Sequence, residues 1–147
     1  VGLICCCDIA IAADHARFGT TEVKLGIMPS VISPYVIRAV GARVSRRIML
    51  TGERFDAREA HRIGLVHETV PANALDQAAE TVVQELIGAG PKAVQAAKSL
   101  VQELSGQPIT PEMIDLTASR IAALRATPEA KEGLGAFLEK RKPGWQF

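Results

Sequence analysis

Hydrophobic and polar positions change their rhythm once along this chain. Up to about residue 71, short apolar runs alternate with glycine and proline. From Ala72 onward, apolar residues recur at the three- and four-residue spacing of helices. Val1 to Cys7 is small and apolar throughout, a run too short for periodicity to separate helix from strand. Asp8 to Ala13 reads as a strand, with Asp8 as a structural acid at its start, and Asp14-His15 as an exposed turn. Ser33-Pro34 predicts a helix start, Ser33 as N-cap and Pro34 as first helical residue. Val36, Val40, Val44 and Ile48 then share one helical face, and Gly41 predicts a break between two helices. Arg38, Arg43, Arg46 and Arg47 fall mostly on the opposite side, as a solvated face does.

Asp56-Ala57-Arg58-Glu59 fits a capping box that opens a short helix ending near Gly64. Leu65 to Val70 reads as a strand closed by Pro71. Beyond it, Ala78, Ala79, Val82, Val83 and Leu86 form one stripe, interrupted by Gly88-Ala89-Gly90-Pro91. Val94, Ala97, Leu100, Val101 and Leu104 form another. Thr110-Pro111-Glu112 and Thr127-Pro128-Glu129 each carry the cap, proline and acid of a helix start. The pattern predicts an α/β first part, residues 1–71, and an all-helical second part, residues 72–147, without internal repeats.

Composition narrows the picture. A chain of 147 residues, 48% hydrophobic and 22% charged, is one domain's worth of soluble, globular sequence. Its net charge of +1 gives no reason to expect nucleic acid or an acidic membrane surface as a partner. No apolar run reaches the length of a bilayer span, and the first residues lack the basic flank of a signal peptide. Cys5, Cys6 and Cys7 are consecutive, a spacing that suits neither a disulfide framework nor a zinc site. They read as small buried residues in a reducing, cytoplasmic setting. His61 and His67 have no partner at ligand spacing, and no metal or redox cofactor is implied.

The candidate chemistry sits in Phe18-Gly19-Thr20-Thr21-Glu22-Val23-Lys24-Leu25-Gly26-Ile27-Met28-Pro29. Glu22 is the lone acid of this segment, flanked by Val23, Leu25 and Ile27. A carboxyl group in apolar surroundings is partly desolvated, which suits it to proton transfer. On its own residues it also fits a solvated loop acid, the commoner fate of lone acids.

Several motifs in order and spacing resemble the crotonase (enoyl-CoA hydratase/isomerase) superfamily. They are Cys7-Asp8-Ile9-Ala10-Ile11-Ala12, Ala16-Arg17-Phe18-Gly19 and Glu22 through Pro29. Leu50-Thr51-Gly52-Glu53-Arg54-Phe55-Asp56-Ala57, Ala60 with Gly64-Leu65-Val66, and Phe137-Leu138-Glu139-Lys140-Arg141-Lys142-Pro143 continue the pattern. The resemblance implies the C-terminal part of a crotonase-type β-β-α spiral core, followed by a helical region that assembles trimers or hexamers. It implies that Val1 to Cys7 is a helix leading into the strand, and that the chain matches the C-terminal half to three-fifths of a full-length member. Such members bind acyl-CoA thioesters, with coenzyme A as part of the substrate and no separate cofactor. They stabilise an enolate with two backbone N–H donors, which by this alignment precede Val1, so this stretch alone is expected to be inactive.

Residue by residue, Glu22 matches the family's acid/base glutamate, while Gly2 stands where hydratases carry a second one. A single glutamate is the arrangement of Δ3,Δ2-enoyl-CoA isomerases. The run Thr21 to Gly26 followed by Pro29-Ser30-Val31-Ile32-Ser33-Pro34-Tyr35 is similar to bacterial enoyl-CoA and methylglutaconyl-CoA hydratases. Pro29 and Ser30 align with a glycine-rich turn lining the acyl pocket, and the bulkier residues here imply a differently shaped pocket, suited to a branched substrate. Phe137 and Lys140 match positions that meet the coenzyme A moiety, although Glu139 to Lys142 also reads as an ordinary charged tail. The expected activity is therefore hydration of an enoyl-CoA. Isomerisation by one glutamate is the alternative, and acyl-CoA binding without catalysis is a second one.

Overall fold

A computed structural model describes Val1 to Gln146, and by contact the chain divides into two units, Val1–Glu80 and the part that begins at Thr81. In the first unit a 3-10 turn, Ile4–Cys6, precedes strand β1 (Ile11–Ala13) and strand β2 (Arg17–Gly19). Helix α1 (Ser33–Thr51), strand β3 (Arg54–Asp56), helix α2 (Ala57–Arg62) and strand β4 (Glu68–Val70) follow. β1 pairs in parallel with β4, Ile11 beside Glu68 and Ala13 beside Val70. β2 and β3 are antiparallel, with Phe18 opposite Phe55 and their rings stacked at 5.8 Å between centroids.

Both parallel strands are shorter than the apolar runs that predict them, and hydrogen bonding explains why. At Ala10 the backbone N–H donates to the imidazole Nδ1 of His67 (3.1 Å) while the His67 N–H donates to the Ala10 carbonyl (2.8 Å). A side chain thus takes the place of a ladder carbonyl, and the regular pairing begins one residue later. Leu65 and Val66 are not strand residues: both N–H groups donate to the Ala60 carbonyl and close the end of α2. They are buried all the same, at 3% and 2% exposure, so their apolar character reports the core and not the strand.

Helix α1 shows how a stripe becomes a core. Val36 and Ile48 are fully buried, and Val40 and Val44 pack against the same cluster with Phe55, Ala60 and Leu65. Gly41 breaks the helix as expected, with φ 77° and ψ 161°, a conformation that glycine adopts without a Cβ penalty. Ser45 bridges the kink by donating its hydroxyl to the Gly41 carbonyl at 2.8 Å. The expected N-cap is corrected: Ser33 is already helical, its N–H donating to the Pro29 carbonyl and its hydroxyl to the Ser30 carbonyl. The turning segment before the helix satisfies these donors, so no side-chain cap is required. Asp56 does cap α2, accepting from the Glu59 N–H at 2.9 Å. Glu59 does not return the bond; its carboxylate is held by Arg62 and Arg47, which keep it well below the usual range, at about 2.

The cysteines also depart from expectation. Cys6 and Cys7 are exposed and Cys5 is half-buried, all three as free thiols. The short 3-10 turn points Cys6 and Cys7 back over its own carbonyls, those of Gly2 and Leu3, and not into the core.

Helix α3 (Leu75–Gly88) crosses the boundary between the units, and α4 (Pro91–Leu104), α5 (Pro111–Arg125) and α6 (Pro128–Leu138) belong to the second. Thr110 and Thr127 cap α5 and α6, accepting from the Met113 and Ala130 N–H groups as expected. The Glu129 carboxylate of α6 accepts from the Lys92 and Ala93 N–H groups and so caps α4 from outside (3.1 and 2.9 Å). Arg141 holds Glu132 and Glu139, each at 2.6 Å, while the Trp145 ring lies against Gly90 and Gly133. Among the described residues, Ala136 is the one buried hydrophobic side chain of this unit.

Candidate active site

Glu22 opens a 3-10 turn, Glu22–Leu25, that is fixed at both ends. Before it, Thr20 is buried and its hydroxyl donates to the Ile48 carbonyl of α1 at 3.0 Å. After it, Gly26 adopts φ 74°, a left-handed conformation that returns its N–H to the turn, and the Ile27 N–H donates to the Glu22 carbonyl (3.3 Å). The backbone of the acid is therefore held on the scaffold of α1 and does not ride on a free loop.

The side chain is the unusual part. Glu22 as a residue is half-buried, yet its Oε2 is out of solvent and has no hydrogen-bond partner. Leaving such an oxygen unpaired costs about 1–3 kcal/mol, and native structures seldom tolerate that without a purpose. The flanking sequence offers apolar surface in place of polar partners: Leu25, Ile27, Met28 and Val31 are all exposed. A carboxyl oxygen without a partner beside apolar surface marks Glu22 as the candidate for proton transfer in this segment.

Of the other expected site residues, Pro29 and Ser30 lie on the same segment. Pro29 is buried, its carbonyl accepting from the Ser33 N–H; Ser30 is exposed, its N–H donating to the Met28 carbonyl at 2.8 Å. Phe137 and Lys140 lie in the second unit, at the end of α6. Phe137 is 79% exposed, an unusual state for a large aromatic ring. Lys140 sits at φ 53°, the one non-glycine residue with positive φ among the described residues. Its N–H donates to the Phe137 carbonyl and that of Arg141 to the Ala136 carbonyl, the bonding of a Schellman helix end in which glycine is the usual occupant. A lysine there carries the backbone strain that a glycine would avoid.

Two pairings of the first unit have no signal in the sequence. Position 2 lacks room for a side chain: a Cβ built on Gly2 would fall 3.0 Å from the Ile32 Cβ and deep inside contact distance of its Cγ2. His67 acts as an acceptor for the Ala10 backbone. Neither pairing is legible along the chain, because the partners are far apart in sequence. Two hollows lie elsewhere, among α4, α5 and α6, with volumes of about 510 and 470 Å³ and a shared lining of Ala93, Ile121, Leu124 and Thr127. Neither is lined by an expected site residue, and Glu129 at the edge of the first is committed to capping α4. Volume alone therefore does not locate the chemistry. Among the described residues no three histidine, cysteine or acidic side chains gather as a metal-binding group, and no helix is long and apolar enough to cross a membrane.

Comparison with known proteins places this arrangement. A family profile described as enoyl-CoA hydratase/isomerase matches residues 1–147. The 2,3-dehydroadipyl-CoA hydratase of Escherichia coli is 32% identical over 95% of this chain and 55% of its own length. The crotonyl-CoA hydratase of Syntrophomonas wolfei is 36% identical over 95% of this chain and 54% of its own length. Among solved structures, an enoyl-CoA hydratase from Shewanella pealeana superposes with a TM-score of 0.91 at 46% identity, over 98% of this chain and 54% of that one. Pseudomonas aeruginosa AtuE gives 0.92 at 41% identity, over 99% and 57%. The chain thus spans about half the length of the curated relatives it matches. The fold carrying Glu22 is of the crotonase type, and the chain belongs to the enoyl-CoA hydratase/isomerase family.

Proposed function

We propose that the full-length protein is an enoyl-CoA hydratase-type enzyme, adding water across the 2,3 double bond of an enoyl-CoA thioester, with Glu22 as its acid/base. The observation that carries this reading is the buried, unpartnered Oε2 of Glu22 on a backbone fixed to α1. The hydratases of Escherichia coli and Syntrophomonas wolfei support the reaction class. In the proposed step the carboxylate takes a proton from water as the oxygen bonds to C3, and the π electrons move toward the thioester oxygen as an enolate. Glu22, now protonated, returns a proton to C2. The balance is one water consumed and no oxidant or reductant needed.

Pro29 and Ser30 line the acyl end. Phe137 and Lys140 meet the coenzyme A portion, an assignment supported by the exposed ring and by the lysine held in a glycine conformation. An ammonium group near phosphates is electrostatically favourable. Residues 1–71 supply the catalytic core in this reading. Residues 72–147 supply the helical region through which chains assemble as trimers or hexamers, a role supported by its exposed apolar side chains such as Leu86, Val101, Ile114 and Phe137.

One observation favours a second reading. Ile32 fills the space over Gly2, so no second carboxylate enters from that position, and a single base suffices to move a proton between carbons, as in a Δ3,Δ2-enoyl-CoA isomerase. Absorbance separates the two. A 2-enoyl-CoA loses its conjugated band on hydration, whereas a 3-enoyl-CoA gains one on isomerisation. Loss of the band with crotonyl-CoA, abolished in Glu22→Gln, is the expected result. A gain with the 3-enoyl substrate and no change with crotonyl-CoA would replace hydration by isomerisation. Binding without either change would make the protein a non-catalytic acyl-CoA binder.

A further inference from the structure

The buried oxygen of Glu22 has no hydrogen-bond partner, so no neighbouring donor fixes where it points. Its aim has to come from the backbone beneath it, and two contacts hold that backbone on the end of α1. Thr20, two residues before Glu22, is 1% exposed and donates its hydroxyl to the Ile48 carbonyl at 3.0 Å. Gly52, which closes α1 at φ 55°, receives the other side of the turn: a Cβ there would fall 3.1 Å from the Val23 Cγ2 and from the Lys24 Cε. The helix end does not need the bond from Thr20, because the Ile48 carbonyl already accepts from the Gly52 N–H at 3.1 Å. Ser45, the other buried polar side chain among the described residues, reaches only one turn back along its own helix, to Gly41. Thr20 instead reaches a carbonyl 28 residues away, from the segment that leads straight into the acid. A valine would fill nearly the same space with no hydroxyl to satisfy. The hydroxyl is therefore a tie between the turn and the helix.

Resting on the reading of Glu22 given above, we propose that Thr20 is a positioning residue for the proton transfer. Its hydroxyl pins the entry of the Glu22–Leu25 turn to the last turn of α1 and so sets where the carboxyl group stands. Thr20 touches neither the water nor the thioester; it acts through Glu22. Proton transfer needs heavy atoms about 2.6–3.2 Å apart, so a small shift of the turn slows the chemical step and leaves thioester binding in place.

The test measures kcat and KM for crotonyl-CoA in the full-length protein. Wild type, Thr20→Val, Thr20→Ser and Glu22→Gln are compared, with Thr20→Val also combined with Glu22→Gln. Thr20→Val is expected to lower kcat about 10- to 100-fold, with KM within a few-fold and the thermal midpoint close to wild type. Thr20→Ser keeps the donor and is expected to recover most of the rate. Because Thr20 acts through Glu22, Thr20→Val is expected to slow the Glu22→Gln protein no further. Should Thr20→Val fail to fold, Thr20→Ala removes the same donor and is read in the same way. An unchanged kcat in a folded variant, a loss that Thr20→Ser shares in full, or an undiminished loss in the Glu22→Gln protein overturns the role of Thr20 alone. Absence of any Glu22-dependent hydration in wild type overturns both proposals.

Discussion

In the first unit Ala12, Val36, Ile48, Phe55, Ala60 and Leu65 belong to one buried cluster around α1, and every turn that carries a site residue is tied to it. In the second unit, built of the end of α3 with α4, α5 and α6, Ala136 is the one buried hydrophobic side chain among the described residues, while Val101, Ile109, Ile114 and Phe137 are exposed. Its order comes from polar ties: threonine caps, the Glu129 cap on α4, and the Arg141 clasp on Glu132 and Glu139. The first unit removes apolar area from water, which holds an acid in a fixed pose. The second leaves most of its large apolar side chains exposed or half-buried, whereas in the first the exposed ones, such as Leu25, Ile27, Met28 and Val31, sit beside a closed core.

That contrast can be broken by substitution in the full-length protein. The largest stability effect is expected for Ile48→Ala, about 2–5 kcal/mol by denaturant unfolding, because the side chain is fully buried and its neighbours are already close-packed. A loss under 1 kcal/mol would mean the first unit is not core-held. Trp145→Ala removes a half-buried ring and its Nε1–H bond to the Gly88 carbonyl (3.3 Å), and about 2 kcal/mol is expected. Hydrogen exchange should show that loosening in α4 and α6 and not in α1. Thr127→Ala removes a cap and is expected to cost about 1 kcal/mol, read as faster exchange in the first turn of α6.

Lys140→Gly relieves the positive φ and is expected to stabilise the end of α6 by up to about 1 kcal/mol. If the lysine meets coenzyme A phosphates, the same change raises KM several-fold with kcat kept, a split that a purely structural lysine would not show. The smallest effect concerns pH. Arg141 and the Gly144 N–H hold Glu132 at about 2, below its ordinary 4.5. Because the folded value is the lower one, this contribution is full above pH 4.5 and fades as pH falls toward 2. Glu132→Gln should flatten the acid limb of a thermal-midpoint profile in that window; an unchanged limb would show the clasp to be idle.

How much of this the chain discloses depends on the range of the interaction. Helix starts at Thr110 and Thr127, the Gly41 break and the Asp56 cap are local, encoded within four residues, and all were legible. The stripe Val36, Val40, Val44, Ile48 was legible because one helical period repeats it. Leu65 and Val66 were misread as strand, since burial and β-pairing select the same apolar residues. The cysteines were misread because apolar neighbours do not reveal which way a short turn points. The closure of Gly2 by Ile32 and the bond from Ala10 to His67 are long-range and leave no local trace. Glu22 was legible as a motif position, but that one of its oxygens is buried without a partner emerges only in three dimensions.

The most direct test of the account is the crotonyl-CoA absorbance assay on wild type and Glu22→Gln, with coenzyme A ester affinity measured alongside. The account predicts loss of the conjugated band in wild type, a roughly 10²- to 10⁴-fold slower rate in Glu22→Gln, and affinity within a few-fold of wild type. Equal rates in the two proteins would contradict it, because the unpaired oxygen would then have no part in moving the proton.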